Sequence, residues 1–154
     1  MAVRSDSETL QEFLQTVAGA MGLTAEIDVV VDEDGELRGT LHGEDLGLFI
    51  GRHGQTIDAV QHLAQRILAA ANGEPRRVVI DAEGYRARRQ EALERQADQA
   101  AEEALRYARP VALDAMTASE RRLVHEYLRD REDVETYSEG EEPDRHLVIA
   151  PARD

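Results

Sequence analysis

The sequence predicts an α+β protein built as two small units in series, each with a three-stranded sheet. Three observations carry that expectation. Apolar periodicity alternates between helical and strand spacing in the order α-β-β-α-α-β, and then, after one long charged helix, β-α-β-β. Asp34-Gly35 stands between two alternating runs, where a hairpin turn belongs. Only 4% of the 154 residues are aromatic, with no Trp, so the cores must be Leu, Val, Ile and Ala. Such cores suit two compact units of modest stability.

The elements follow in order. Residues 5–22 read as an amphipathic helix opened by a Ser5/Glu8 capping box, with Leu10, Phe13, Leu14, Val17, Ala18 and Met21 at helical spacing and Gly22 as its stop. Ile27, Val29 and Val31 alternate along one strand, and Leu37, Gly39 and Leu41 along the returning one. Residues 44–50 read as a short apolar helix. A longer helix covers 55–72, with Ile57, Val60, Ala64, Ile67, Leu68 and Ala71 on one face and Asn72-Gly73 as its end. Val78, Val79 and Ile80 form a third strand. Residues 84–108 make a long helix with a thin apolar stripe of Tyr85, Leu93, Ala97, Ala101, Ala104, Leu105 and Ala108, closed by Pro110. A strand at 110–114 comes next, then a helix to about 129 opened by the Thr117/Glu120 capping box, and strands near 133–138 and 145–150. The domains are expected at 1–82 and 83–154, the second including the long connecting helix.

Composition narrows the function. The net charge is −14, so any nucleic-acid surface must be a local patch that overcomes the global field. All basic residues are Arg, the side chain that grips phosphate bidentately. The absence of Cys removes disulfides, thiolate metal sites and thiol nucleophiles, and fits a reducing compartment. The N-terminus carries no signal-peptide run, and no stretch approaches the ~20 apolar residues that cross a bilayer. A cytoplasmic protein without membrane insertion is expected. His42, His53, His62, His125 and His146 do not fall into metal-ligand spacing. No nucleophile elbow or nucleotide fingerprint is present, so the expectation is a non-enzyme with no metal and no cofactor.

Gly51-Arg52-His53-Gly54 lies between two helices. Two glycines allow close backbone approach, and the loop delivers the chain into the positive end of the 55–72 helix, where phosphate is favoured. Arg52 adds a fixed charge and His53 a titratable one. Framed by three strands in this order, the loop matches a KH domain of the bacterial, type II arrangement, αββααβ with its helices on one face of the sheet. In such a domain the loop clamps about four nucleotides by their backbone. Bases would lie in a groove between the loop, its helices and the third strand, floored by Ile50, Ile57 and Val79. Core packing explains each of these residues too, and for Ile57 the two readings are equal.

Arg121 and His125 stand one turn apart on one face of the helix that Thr117 caps. Arg121 and Arg122 occupy the first turn, where the helix dipole favours acids, so their placement hints at an anionic ligand. The plain reading, that His125 is a packed residue, stays open. Glu139-Gly140-Glu141-Glu142-Pro143-Asp144 is read as a solvated turn. On the long helix, Arg86, Arg88 and Arg89 either pair with solvated acids or line a positive strip between the domains.

The run ERRLVHEYLRDREDVETYSEGEEPDRHLVIAP at 120–151 closely resembles the R-three-H domain of the Jag family of bacterial RNA-binding proteins (SpoIIIJ-associated protein, KhpB). IGRHGQTIDAVQHL at 50–63 and the stretch from Asp81 to Arg86 resemble the KH domain and junction of that family. The resemblance spans about residues 5–151. It implies single-stranded RNA as ligand, with single-stranded DNA as the variant, contacted by Gly51, Arg52, His53, Gly54, Arg121 and His125, and more weakly by Arg145 and Ser138. It implies a role in cell elongation and division, as a post-transcriptional regulator or RNA chaperone, and pairing with a small, single-domain KH protein. Many members carry a further domain before the KH segment. This sequence opens on the first KH helix, and partnering at the membrane tied to that domain is not expected of it. The competing function is a protein-interaction or assembly module that uses the KH surface for dimerisation, which the acidic charge favours.

Overall fold

The computed structural model describes residues 4–153 and divides into two compact units, one ending at Arg86 and the other beginning at Ala87. The first unit begins with helix α1 (Asp6–Ala20). Its capping box is formed. The Glu8 amide bonds the Ser5 hydroxyl, while the Ser5 backbone N–H donates to the Glu8 carboxylate at 2.9 Å. That backbone bond, more than any other interaction, holds the Glu8 carboxyl below its ordinary value. Strands β1 (Glu26–Val31) and β2 (Leu37–His42) pair antiparallel. Asp32 organises the turn between them, its carboxylate accepting the amides of Asp34 and Glu36.

Helix α2 (Gly47–Ile50), a single 3₁₀ turn (Arg52–Gly54) and helix α3 (Gln55–Asn72) lead to β3 (Val78–Ala82). The chain crosses back so that β3 runs parallel to β2, giving the sheet order β1-β2-β3. Leu37, Gly39 and Leu41 of β2 are buried, in alternation with Arg38, Thr40 and His42. Onto that face pack Leu10, Leu14, Phe49, Ile57, Val60, Ala64, Leu68, Val78 and Ile80. The expected face of α3 shifts slightly. Ile67 is 38% exposed, and Ala71 is exposed as well. Val31 is also half in solvent, because it lies beside the hairpin turn on an edge strand.

Helix α4 (Tyr85–Tyr107) is followed by β4 (Val111–Ala112), α5 (Ala118–Leu128), β5 (Val134–Glu139) and β6 (His146–Pro151). The three strands form an antiparallel sheet in the order β4-β6-β5. The core of this second unit joins Leu93, Ala97, Ala100 and Ala101 of α4 to Met116, Val124, Leu128, Val134, Leu147 and Ile149. Small Ala side chains let α4 sit close to its neighbours. Ala100 joins the stripe, while Leu105 is 39% exposed, since the contact surface follows a 3.6-residue period that leaves Leu105 on its margin.

The division after Arg86 falls inside the first turn of α4, so Tyr85 and Arg86 belong with the first unit and the rest of the helix with the second. Among the described residues no helix is long and apolar enough to cross a membrane.

Phe49 is fully buried and anchors the short α2 beneath the loop that follows. Phe49→Ala is expected to lower the stability of the first unit by about 3–5 kcal/mol, as a large-to-small core change does. Urea denaturation followed by far-ultraviolet circular dichroism measures it.

Candidate nucleic-acid interface

The loop at 51–54 is built by backbone geometry. Gly51 has φ +75°, His53 φ +54° and Gly54 φ +78°. A left-handed His costs about 1–3 kcal/mol and persists only where its surroundings enforce it. Both glycines are also required by space. A Cβ on residue 51 would stand 2.7 Å from the Thr56 Cβ and 2.8 Å from its amide nitrogen, and one on residue 54 would stand 2.9 Å from the Tyr85 hydroxyl. Gly51 N–H closes α2 on Gly47 O at 2.8 Å, and Gly54 N–H reaches Gly51 O at 3.3 Å.

Gly54 is the N-cap of α3 and supplies no side-chain acceptor to its first turn. The 18-residue helix therefore presents its positive end at the loop without a side-chain capping oxygen, although Arg52 O accepts the Gln55 amide. Arg52 is exposed and, among the described residues, its side chain has neither an ion-pair nor a hydrogen-bond partner. Most other arginines sit against a carboxylate, as Arg76 does on Asp6, Arg86 on Asp58 and Arg131 on Asp133.

The groove-floor residues separate. Ile50 is half-buried at the rim of the core and Val79 is half-buried on β3. Ile57 is fully buried. Its role is packing, because it follows the loop by one helical step and so points inward beneath it.

In the second unit, Arg121, Arg122, His125, Ser138 and Arg145 line one open cavity of about 420 Å³, together with Thr136 and Leu147. They occupy it in different states. Arg121 is only 8% exposed. One of its guanidinium nitrogens donates to Met116 O at 2.6 Å, and another to the Glu142 carboxylate at 2.8 Å. Arg121, expected to contact a phosphate, is in the structure an internal brace between the segment before α5 and the loop after β5, while it also lines the cavity. The turn read as solvated is thus tied down through Glu142, and Arg145 donates to Gly140 O at 2.7 Å across it.

His125 is exposed, and its Nδ1 is hydrogen-bonded to the Thr136 hydroxyl, which orients the ring. Arg122 is exposed and pairs with Glu126 at 3.0 Å, an interaction worth little in solvent. Sequence reasoning missed Thr136 and Glu142 as members of this site. Only their place in the TYSEGEEP run hinted at them.

The Arg cluster on α4 does not form a free positive strip. Arg86 is bonded to Asp58, and Arg89 to the buried Glu120 at 2.7 Å. Beyond the end of α4, Arg109 reaches Glu103 at 3.1 Å.

Two family models match the chain in tandem, the KhpA/KhpB KH domain over residues 7–80 and the R-three-H domain over residues 91–151. The RNA-binding protein KhpB of Clostridium symbiosum is 40% identical over 152 residues, covering 96% of this chain and 68% of that protein. The chain belongs to the KhpB family. The KhpB protein of Bacillus subtilis is 37% identical, over 92% of this chain and 68% of its own length. That of Lactiplantibacillus plantarum is 38% identical over 92% of this chain, but only 44% of its own length. In this KhpB-family chain the KH match contains the 51–54 loop and the R-three-H match contains the α5 cavity, while Tyr85 and Arg86 fall between the two matched ranges.

Gly51→Ala is expected to destabilise the first unit by about 1–3 kcal/mol from backbone strain, with crowding against Thr56 adding to it. Thermal unfolding of the two proteins makes the comparison. Glu142→Gln keeps an acceptor for Arg121 and removes a negative charge from the cavity. It is expected to tighten binding of a single-stranded oligonucleotide by about two- to tenfold at low salt, and less at high salt, as read by fluorescence anisotropy.

Proposed function

We propose that this chain binds single-stranded RNA, taking the phosphodiester backbone at the 51–54 loop and again at the α5 cavity. The observation that carries the reading is Arg52. It is an exposed cation whose side chain has no partner among the described residues, in an acidic molecule and beside a helix start without a side-chain cap. The relatives named RNA-binding protein KhpB support it. Two weak sites on one chain reinforce each other by effective concentration when both can engage one strand. With few aromatics, affinity rests on phosphate contacts, hydrogen bonds and aliphatic surface in place of a stacking platform. Cytoplasmic transcripts are the expected ligands, in post-transcriptional regulation or RNA chaperoning that affects cell elongation and division. The role is binding, not catalysis.

A second reading is favoured by one observation. Leu63 and Ile67 stand one turn apart on the outer side of α3, 52% and 38% exposed. A small, single-domain KH protein covering that strip would make the first unit an assembly module. Leu63→Arg is expected to abolish such pairing and leave RNA affinity within about twofold; co-elution on size exclusion and anisotropy read the two effects apart.

The RNA reading is tested by Arg52→Asp combined with His53→Asp. Affinity for a single-stranded RNA is expected to fall at least about tenfold with the fold retained by circular dichroism, and unchanged affinity would remove the loop from the interface. Arg121→Ala with His125→Ala is expected to weaken binding and flatten the salt dependence by about 0.7 in log–log slope for each phosphate no longer neutralised. An unchanged slope would remove the second unit from the RNA-binding surface.

A further inference from the structure

Strand β3 is an edge strand, paired only to β2. Its other edge is the one on which an extended ligand in the expected groove would find backbone donors and acceptors to read. In this chain four of those groups are already taken. Gln65 Nε2 donates to Val78 O at 3.2 Å. Ile80 N–H donates to Gln61 Oε1 at 2.9 Å. Arg86 Nε donates to Ile80 O at 2.7 Å. Ala82 N–H is taken by the Asp81 carboxylate at 2.8 Å.

The closure is cross-braced. Arg86 Nη1 reaches Asp58 at 3.0 Å, one turn into α3 from the loop, and Nη2 reaches Gln61 Oε1 at 3.0 Å. Gln61 Oε1 thus accepts from both the strand and the guanidinium. Asp81 in turn accepts the Arg86 amide at 3.2 Å and so fixes the turn that delivers Arg86. Tyr85, the preceding residue, is the side chain that crowds Gly54. The loop and the sealed edge are therefore held by one short segment, residues 81–86.

We propose that the first unit holds RNA by its backbone without reading bases along β3, because Gln61, Gln65 and Arg86 occupy the edge that a base would have to use. The proposal rests on the RNA reading above and specifies its ligand class: single-stranded RNA irrespective of sequence. A base that bonded Ile80 would first have to displace Gln61 and strip Arg86 of a partner. Hydrogen bonds to a charged group are about twice as strong as neutral ones, so the exchange is unfavourable. A side-chain lid of this kind also blocks strand addition at an otherwise open edge.

The test uses the full chain with the hexanucleotides rA6, rC6 and rU6, long enough for the ~4 nucleotides a KH loop clamps. Anisotropy gives affinity, and two-dimensional ¹H–¹⁵N spectra follow the amides of Gly51, Gly54 and Ile80. The expected result is affinities within about threefold of one another, with Gly51 and Gly54 shifting and Ile80 still. One good base-reading pair would separate the three by roughly fivefold or more. In Gln61→Ala, which frees the Ile80 N–H, the Ile80 amide is expected to shift on binding and the affinities to spread. Native discrimination of roughly tenfold that is lost in Gln61→Ala, or a base-dependent shift at native Ile80, would overturn this proposal and leave RNA binding standing. Absence of binding to all three would overturn the RNA reading and this proposal with it.

Discussion

The close approach of Gly54 and Tyr85 is the constraint on which the rest of the first unit depends. It joins the turn before α3 to the segment that leaves β3, two places separated by the whole length of a helix and a strand. The approach demands glycine at 54 twice over, once for its positive φ and once for the missing Cβ. From it follow the entry angle of α3, the inward aim of Ile57 and the position of Arg86 over Asp58 and Gln61. A loop fixed this way holds its backbone, and with it Arg52, in one arrangement, so little ordering entropy would be lost to an anion there.

The overall acidity is less of an obstacle than the net charge suggests. Much of the charge is matched internally. Arg76, Arg86, Arg89 and Arg131 each face a carboxylate within hydrogen-bond range. Beyond about one Debye length the remaining acids are screened at physiological salt. What matters at the surface is whether a cation is left unmatched beside backbone donors, and Arg52 meets that condition. The second unit solves the problem differently. Its Arg121 is held in the interior by a main-chain carbonyl and balanced by Glu142, an exposed acid. One site is open and the other carries a resident counter-ion, which orders them by ease of access.

Both edges of the first sheet illustrate how side chains finish what a small sheet cannot. Gln11 donates to Ile27 O on β1, and Gln61, Gln65 and Arg86 cover β3. On β3 the lid is nearly continuous, and its charge is neutralised by Asp58. A sheet of three strands has two edges for one centre, so such lids protect it against unwanted pairing and shape what its groove can recognise.

Most of the architecture was legible in the sequence, because it is written in short-range chemistry. Ser5/Glu8 and Thr117/Glu120 are capping boxes in the structure as in the sequence, Asp34-Gly35 lies in the hairpin turn, and Gly73 ends α3 in the left-handed conformation. The glycine pair of the loop was legible for the same reason. What the sequence left open was decided by partners far away along the chain. Ile57 fitted groove and core alike until packing placed it wholly inside. The placement of Arg121 hinted at an anionic ligand, and the structure adds Met116 O and Glu142 as its partners; Arg86 fitted acid pairing or a positive strip, and the structure pairs it with Ile80 O and Asp58. Periodicity and turn signals act over a few residues and fix which elements form. Which side chain stays free for a ligand depends on interactions across the fold, and those exist only once the elements have packed.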